Sequence, residues 1–109
     1  MAQDDMHVVM YKILSYLYTC LKEDEKPQKD RYSYIALNIN PNYWSTIMAE
    51  LAHRRLIKGV KVTTSEKGDD VYVANVRITM EGVEFLMENS MMSKAREFLI
   101  DVKAAVPFI

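Results

Sequence analysis

From Met6 onward the apolar residues Met6, Val9, Met10, Ile13, Leu14, Leu17 and Leu21 recur at steps of three and four, the spacing that lines up one face of an α-helix. The pattern predicts a first helix over about Asp5 to Lys22. Asp4 or Asp5 is placed to cap it, because a carboxylate there accepts from free amide groups and meets the positive end of the helix dipole. The next stretch, Lys22 to Arg31, reads KEDEKPQKDR, four basic and four acidic residues interrupted by Pro27. Its charges cancel and it has no apolar period, so a solvated loop is expected. Tyr32 to Leu37 is apolar but too short for a long helix, which predicts a short second helix ending near Asn38.

Asn40-Pro41 is a strong helix start, with Asn as the cap and Pro at the first helical position, where its missing amide costs nothing. In the third helix that follows, Trp44, Ile47, Met48 and Leu51 form the inward stripe, and the opposite side carries Asn42, Thr46, Ala49 and His53. Gly59 lies just past that helix. Val60 to Thr64 and Val71 to Ile78 are rich in β-branched residues and flank the polar turn Ser65 to Asp70, the mark of a hairpin. Thr79 is placed to cap a fourth helix that packs Val83 and Leu86, or Leu86 and Met87, inward and stops near Asn89-Ser90. Ser93 opens a fifth, in which Ala95, Phe98, Leu99, Val102 and Val106 keep helical spacing until Pro107, before the tail Phe108-Ile109. The fold class is therefore mainly α with a β-hairpin, a winged helix-turn-helix with an additional C-terminal helix. Residues 1–109 form one domain, with 1–4 as an N-terminal tail and 91–109 as a C-terminal helix and dimerisation element.

One segment carries more than periodicity. Ile78-Thr79-Met80-Glu81-Gly82-Val83-Glu84-Phe85-Leu86-Met87-Glu88-Asn89, followed by Ser93-Lys94-Ala95, resembles the YjcQ-like family of small winged-helix proteins found in bacteria and their phages. In that family a strand leads into a Leu/Ile-Thr-x-x-Gly-x-x-Tyr/Phe-Leu-x-Glu-Asn helix, and a final helix opens with Ser-Lys-Ala. The likeness covers most of the chain in element order and about its last third in residue pattern. Helix 1 and the charged loop depart from the family pattern. The resemblance implies the winged-helix fold and a phage or prophage context more than a reaction, since the strand-Thr-x-x-Gly-x-x-aromatic-Leu piece recurs widely among winged-helix regulators.

Composition narrows the chemistry. The chain of 109 residues is half apolar and carries a net charge of −1, without the surplus of Lys and Arg that dedicated DNA-binding domains usually show. Cys20 is its single cysteine, so no intrachain disulfide forms, and neither Cys20 nor His7 and His53 has the companions that a metal site or an activated nucleophile needs. No Gly-rich phosphate loop or recognisable carboxylate pair is present, so neither catalysis nor a cofactor is expected. Met1 to Asp5 are polar and acidic where a secretory signal is basic and then apolar, and no apolar run is long enough to span a bilayer. These features suggest a cytoplasmic protein.

Two functions compete for the same scaffold. For duplex DNA, Asn42 would pair bidentately with adenine, Tyr43, Ser45, Thr46 and His53 would add hydrogen bonds, and Arg54, Lys58 and Lys61 would hold phosphates. Arg55 belongs to the same basic run but projects close to the buried stripe, and cations near a helix C-terminus are favoured by its dipole in any case. Against DNA stands the wing tip, where Glu66, Asp69 and Asp70 outweigh Lys67. That tip suits a protein partner, as in an adaptor or an inhibitor such as a phage antagonist of a host defence nuclease. Tyr11 and Tyr18 on the first helix, with Phe98, Val102, Phe108 and Ile109 near the C-terminus, exceed the apolar surface that one core contact uses, which predicts a homodimer interface. The eight methionines, Met91-Met92 among them, serve as core filling or as an adaptable surface.

Overall fold

A computed structural model describes residues 5–88 of the chain. Helix α1 (Met6–Lys22) forms where the periodicity places it and buries Val9, Met10, Ile13, Leu14 and Leu17. At its last turn the sixth buried side chain is Cys20, while Leu21 is 45% exposed. The two positions lie at similar angles on either side of the stripe, so helical geometry does not choose between them. Packing does: both side chains line an open cleft between the end of α1 and the second strand, Cys20 at 3% exposure and Leu21 at its open side. Asp5 occupies the N-cap position with extended backbone, but its side chain makes no capping hydrogen bond. Its carbonyl alone accepts from the amide of Val9, at 2.9 Å.

The charged segment after α1 is anchored to the fold. Tyr16 Oη accepts from the amide of Gln28 at 2.9 Å, and the amide of Glu25 donates to the Cys20 carbonyl at 2.8 Å. Where a loop to Arg31 and one short helix over Tyr32 to Leu37 are expected, the chain makes two separate turns: α2 (Lys29–Tyr32), which takes in the last three residues of the expected loop, and α3 (Tyr34–Leu37), divided from it at Ser33, whose ψ of 174° is extended. A continuous helix would spend the Tyr32 carbonyl on a backbone amide four residues on. Here that carbonyl accepts instead from Trp44 Nε1, at 2.8 Å. The indole of a buried tryptophan needs a partner, and it finds this one where the chain is broken at Ser33. Asn38 ends α3 in the left-handed region, with φ 57°.

Helix α4 (Pro41–His53) starts as its first two residues require: the Asn40 side chain accepts from the amide of Asn42 at 2.7 Å and Pro41 takes the first helical position. Trp44, Ile47, Met48 and Leu51 are buried. Ala49, expected on the outer side, is buried too at 3% exposure, so the inward face is wider than the stripe. Together α3 and α4 make the helix-turn-helix.

Strand β1 (Ile57–Ser65) pairs antiparallel with β2 (Gly68–Ile78). The ribbon starts earlier and turns more tightly than expected, since Ser65 pairs with Gly68 and only residues 66–67 form the turn. Gly59, just past the expected end of the helix, belongs to the strand. It has φ +84°, and a Cβ there would overlap the Asn75 carbonyl. The register shifts beside it, between Lys58 and Val60, so this is a bulge. The chain leaves α4 four residues earlier than Gly59, at Arg55, with φ 63°. Arg55 is accordingly exposed and does not continue toward the buried stripe.

The element after β2 is helix α5, residues 80–88, preceded by Thr79. Leu86 is buried, Val83 is half-buried against the core and Met87 is exposed, which selects Val83 with Leu86 as the inward pair. Thr79 caps α5, its Oγ1 accepting from the amide of Gly82 at 3.0 Å while donating to the Arg55 carbonyl at 2.6 Å. The Thr79 amide donates to the Leu56 carbonyl at 3.0 Å, and a Cβ on Gly82 would overlap that same Leu56 oxygen and come within 2.6 Å of Ile78 Cγ1. One junction therefore ties the end of α4, the start of β1 and the start of α5. The end of this helix, the fifth helix from Ser93 and the tail Phe108-Ile109 lie outside the described residues.

Gly82→Ala should lower stability by roughly 3 kcal/mol, the upper part of the overpacking range, and Thr79→Ala by about 1–2 kcal/mol, with Thr79→Ser close to wild type. Urea titration followed by circular dichroism checks all three. Burial raises the phenol pKa of Tyr16 and of Tyr32 above the ordinary 10.0. The folded state then keeps protons that the unfolded chain loses, so stability should hold below pH 10 and fall as pH rises above it. Tyr32→Phe should flatten that decline in unfolding midpoints measured between pH 8 and 11.

Candidate nucleic-acid interface

Helix α4 presents Asn42, Thr46 and His53 to solvent, with Tyr43 and Ser45 half-buried at the margins. Because Asn40 caps the helix through the Asn42 amide, the first turn is held at a fixed angle with the Asn42 side chain on its outer edge. Thr46 is less versatile than its residue type suggests. Its hydroxyl donates to the Asn42 carbonyl at 3.0 Å, leaving lone pairs and a methyl group, so it can accept a hydrogen bond or meet an apolar edge.

The basic residues divide into two groups. Arg54 at the end of α4 pairs with Glu50 through Nε at 2.7 Å, with both side chains about half exposed. Exposed pairs one helical turn apart are worth only about 0.3–0.5 kcal/mol, so the pair orients the guanidinium without locking it away from a stronger anion. Lys58 and Lys61 lie exposed on β1. The ladder places Lys58 directly opposite Arg77, and Lys61 directly opposite Tyr72, which is 61% exposed. The other side of the ribbon is a half-buried row, Val60, Val71 and Val73, packed on the core.

Arg77 and Tyr72 are the residues that reading the sequence missed. Strict alternation from an outward Tyr72 turns Arg77 inward, because the two are an odd number of positions apart. The register shift absorbs that mismatch and leaves both exposed. The only sequence signal for it is Gly59, a glycine inside a β-branched run.

The tip of the ribbon keeps the acidic character expected of it. Thr64 Oγ1 donates to Asp69 Oδ1 at 3.0 Å, and Asp70 stands opposite Thr63. Tyr11 and Tyr18, expected at a dimer interface, are half-buried against the core, with Lys22 Nζ 4.6 Å from the centre of the Tyr18 ring. Phe98, Val102, Phe108 and Ile109 lie outside the described residues. The cleft between the end of α1 and β2 encloses about 410 Å³, floored by Leu17, Cys20, Val76 and Ile78. Among the described residues, no group of three His, Cys, Asp or Glu side chains could hold a metal ion, and no helix is long and apolar enough to cross a membrane.

The geometry is similar to that of solved winged-helix structures. S. aureus MepR in complex with DNA is 17% identical, with a TM-score of 0.52 over 84% of this chain and 60% of that one. A point mutant of S. aureus MepR is 16% identical, with a TM-score of 0.52 over 84% of this chain and 62% of the other. S. aureus MepR bound to ethidium bromide is 16% identical, with a TM-score of 0.50 over 92% of this chain and 66% of the other. The chain thus spans about three fifths of the MepR chains, and at such identities the likeness is one of fold. No curated protein matches. The family model described as YjcQ protein matches residues 11–105. That match leaves out only the first ten residues and the last few, and by it the chain belongs to the YjcQ family.

Proposed function

We propose that the protein is a noncatalytic regulator of phage or prophage type that binds duplex DNA by laying α4 in the major groove. The observation that carries this reading is the continuity of α4 with the ribbon: a rigidly capped helix with an exposed polar face runs directly into a hairpin whose base carries exposed cations. Asn42 reads adenine, Tyr43, Ser45, Thr46 and His53 contribute at the groove edges, and Arg54, Lys58 and Lys61 hold phosphates. The fold shared with a MepR–DNA complex supports the same reading. A homodimer, for which Tyr11 and Tyr18 with Phe98, Val102, Phe108 and Ile109 are proposed as the contact, would present two such helices to a two-fold site. In light scattering it should appear at twice the chain mass of 12.7 kDa.

A second reading, an adaptor or inhibitor acting on a protein, draws on one observation, the acidic tip formed by Glu66, Asp69 and Asp70 against a single Lys67. Salt separates the two, because phosphate-driven binding weakens steeply as counterions compete.

Fluorescence anisotropy with random and genomic duplexes at low salt tests the DNA reading. Asn42→Ala should cut the preference for the best sequence by about 1–3 kcal/mol while leaving non-specific affinity nearly unchanged. Lys58→Ala should weaken binding to every sequence alike and reduce the salt slope by about one. Absence of binding to any duplex at low salt, combined with capture of a protein that persists at high salt, would decide for the second reading.

A further inference from the structure

The ribbon separates its charges along its length. Glu66, Asp69 and Asp70 cluster at and beside the turn, Lys58 and Arg77 lie at the base, and Lys61 lies midway. Lys58 and Arg77 are direct ladder partners, and like charges set opposite each other in an antiparallel pair are destabilising. None of the three cations takes part in an ion pair among the described residues. Tyr72, more than half exposed, is the ladder partner of Lys61, on the tip side of the rung formed by Lys58 and Arg77. An uncompensated like-charge pair, with a third cation and an exposed phenol further along a ribbon whose reverse is packed on the core, is a surface suited to a polyanion.

We propose that the hairpin meets duplex DNA with the solvent face of its base and middle, where Lys58, Lys61 and Arg77 sit on backbone phosphates and the Tyr72 hydroxyl donates to another, while the acidic tip stays clear of the backbone. This rests on the DNA-binding reading above and adds Arg77, Tyr72 and the direction of approach to it. The dimensions agree. Lys58 and Arg77 share one rung and Lys61 lies three residues further on, about 10 Å along a strand, a span over which a duplex carrying one charge per roughly 1.7 Å of axis offers several phosphates. The charges agree as well, since a tip-first approach would carry a net negative turn into the phosphates.

The test is anisotropy of the full chain on a duplex between about 50 and 200 mM salt, with circular dichroism to confirm folding. Arg77→Ala should weaken binding roughly three- to tenfold and lower the salt slope by about one, and Arg77→Lys should recover most of both. Tyr72→Phe should weaken binding about threefold without moving the slope, as expected for loss of one uncharged donor. Neutralising the tip with Glu66→Gln, Asp69→Asn and Asp70→Asn together should leave affinity equal or higher. The proposal is overturned, with the DNA reading intact, if folded Arg77→Ala binds as wild type does, or if the neutral tip binds more weakly. Wild-type protein that binds no duplex sinks both. Arg77-dependent binding to polyglutamate but not to duplex DNA would assign the face to an acidic protein and reject the proposal.

Discussion

The geometry of this domain depends on the junction at Thr79. One hydroxyl accepts from the Gly82 amide and donates to the Arg55 carbonyl, while the neighbouring amide reaches the Leu56 carbonyl. These bonds use the backbone groups left over where α4 ends and α5 begins, which would otherwise be unsatisfied at a crowded crossing. They require Gly82 to have no side chain, because the Leu56 oxygen occupies that space. The same junction sets the angle at which the ribbon leaves α4, since Arg55 and Leu56 are two of the three residues that connect them. The Thr-x-x-Gly element is, in physical terms, the fastening of the wing to α4.

Charge in this protein is informative by position and not in sum. A net charge of −1 understates what the ribbon presents, because the hairpin register sets Lys58 and Arg77 at its base, Lys61 midway and Glu66, Asp69 and Asp70 toward its tip. Within about a Debye length, roughly 8–10 Å at physiological salt, a partner at the base of the ribbon meets mainly positive charge and one at the tip mainly negative. Arg54 is a different case. Its pairing with Glu50 is a weak surface interaction that holds a side chain in place more than it removes a charge.

Much of the architecture was legible in the residues. The α1 stripe, the Asn40-Pro41 start, the inward face of α4, the hairpin and the Thr79 cap all depend on neighbours within a few positions, and local rules reach that far. Several departures involve groups distant in sequence. Trp44 takes the Tyr32 carbonyl where the chain breaks between α2 and α3. At the end of α1, packing against β2 buries Cys20 and leaves Leu21 exposed. The Asn75 carbonyl fills the space that a side chain on Gly59 would need, beside the register shift. The candidate site divides the same way, with Asn42, Thr46, Lys58 and Lys61 readable from helical angle and charge, and Arg77 and Tyr72 invisible until the strands were in register.

What the sequence determined by itself, then, is the set of elements and which side of each is apolar, because periodicity and capping are short-range properties of the chain. Only the tertiary structure decided which polar groups share a surface. Strand register, a bulge that reverses alternation and a backbone crossing that excludes a Cβ are set by contacts between residues far apart in the chain, and no local pattern encodes them.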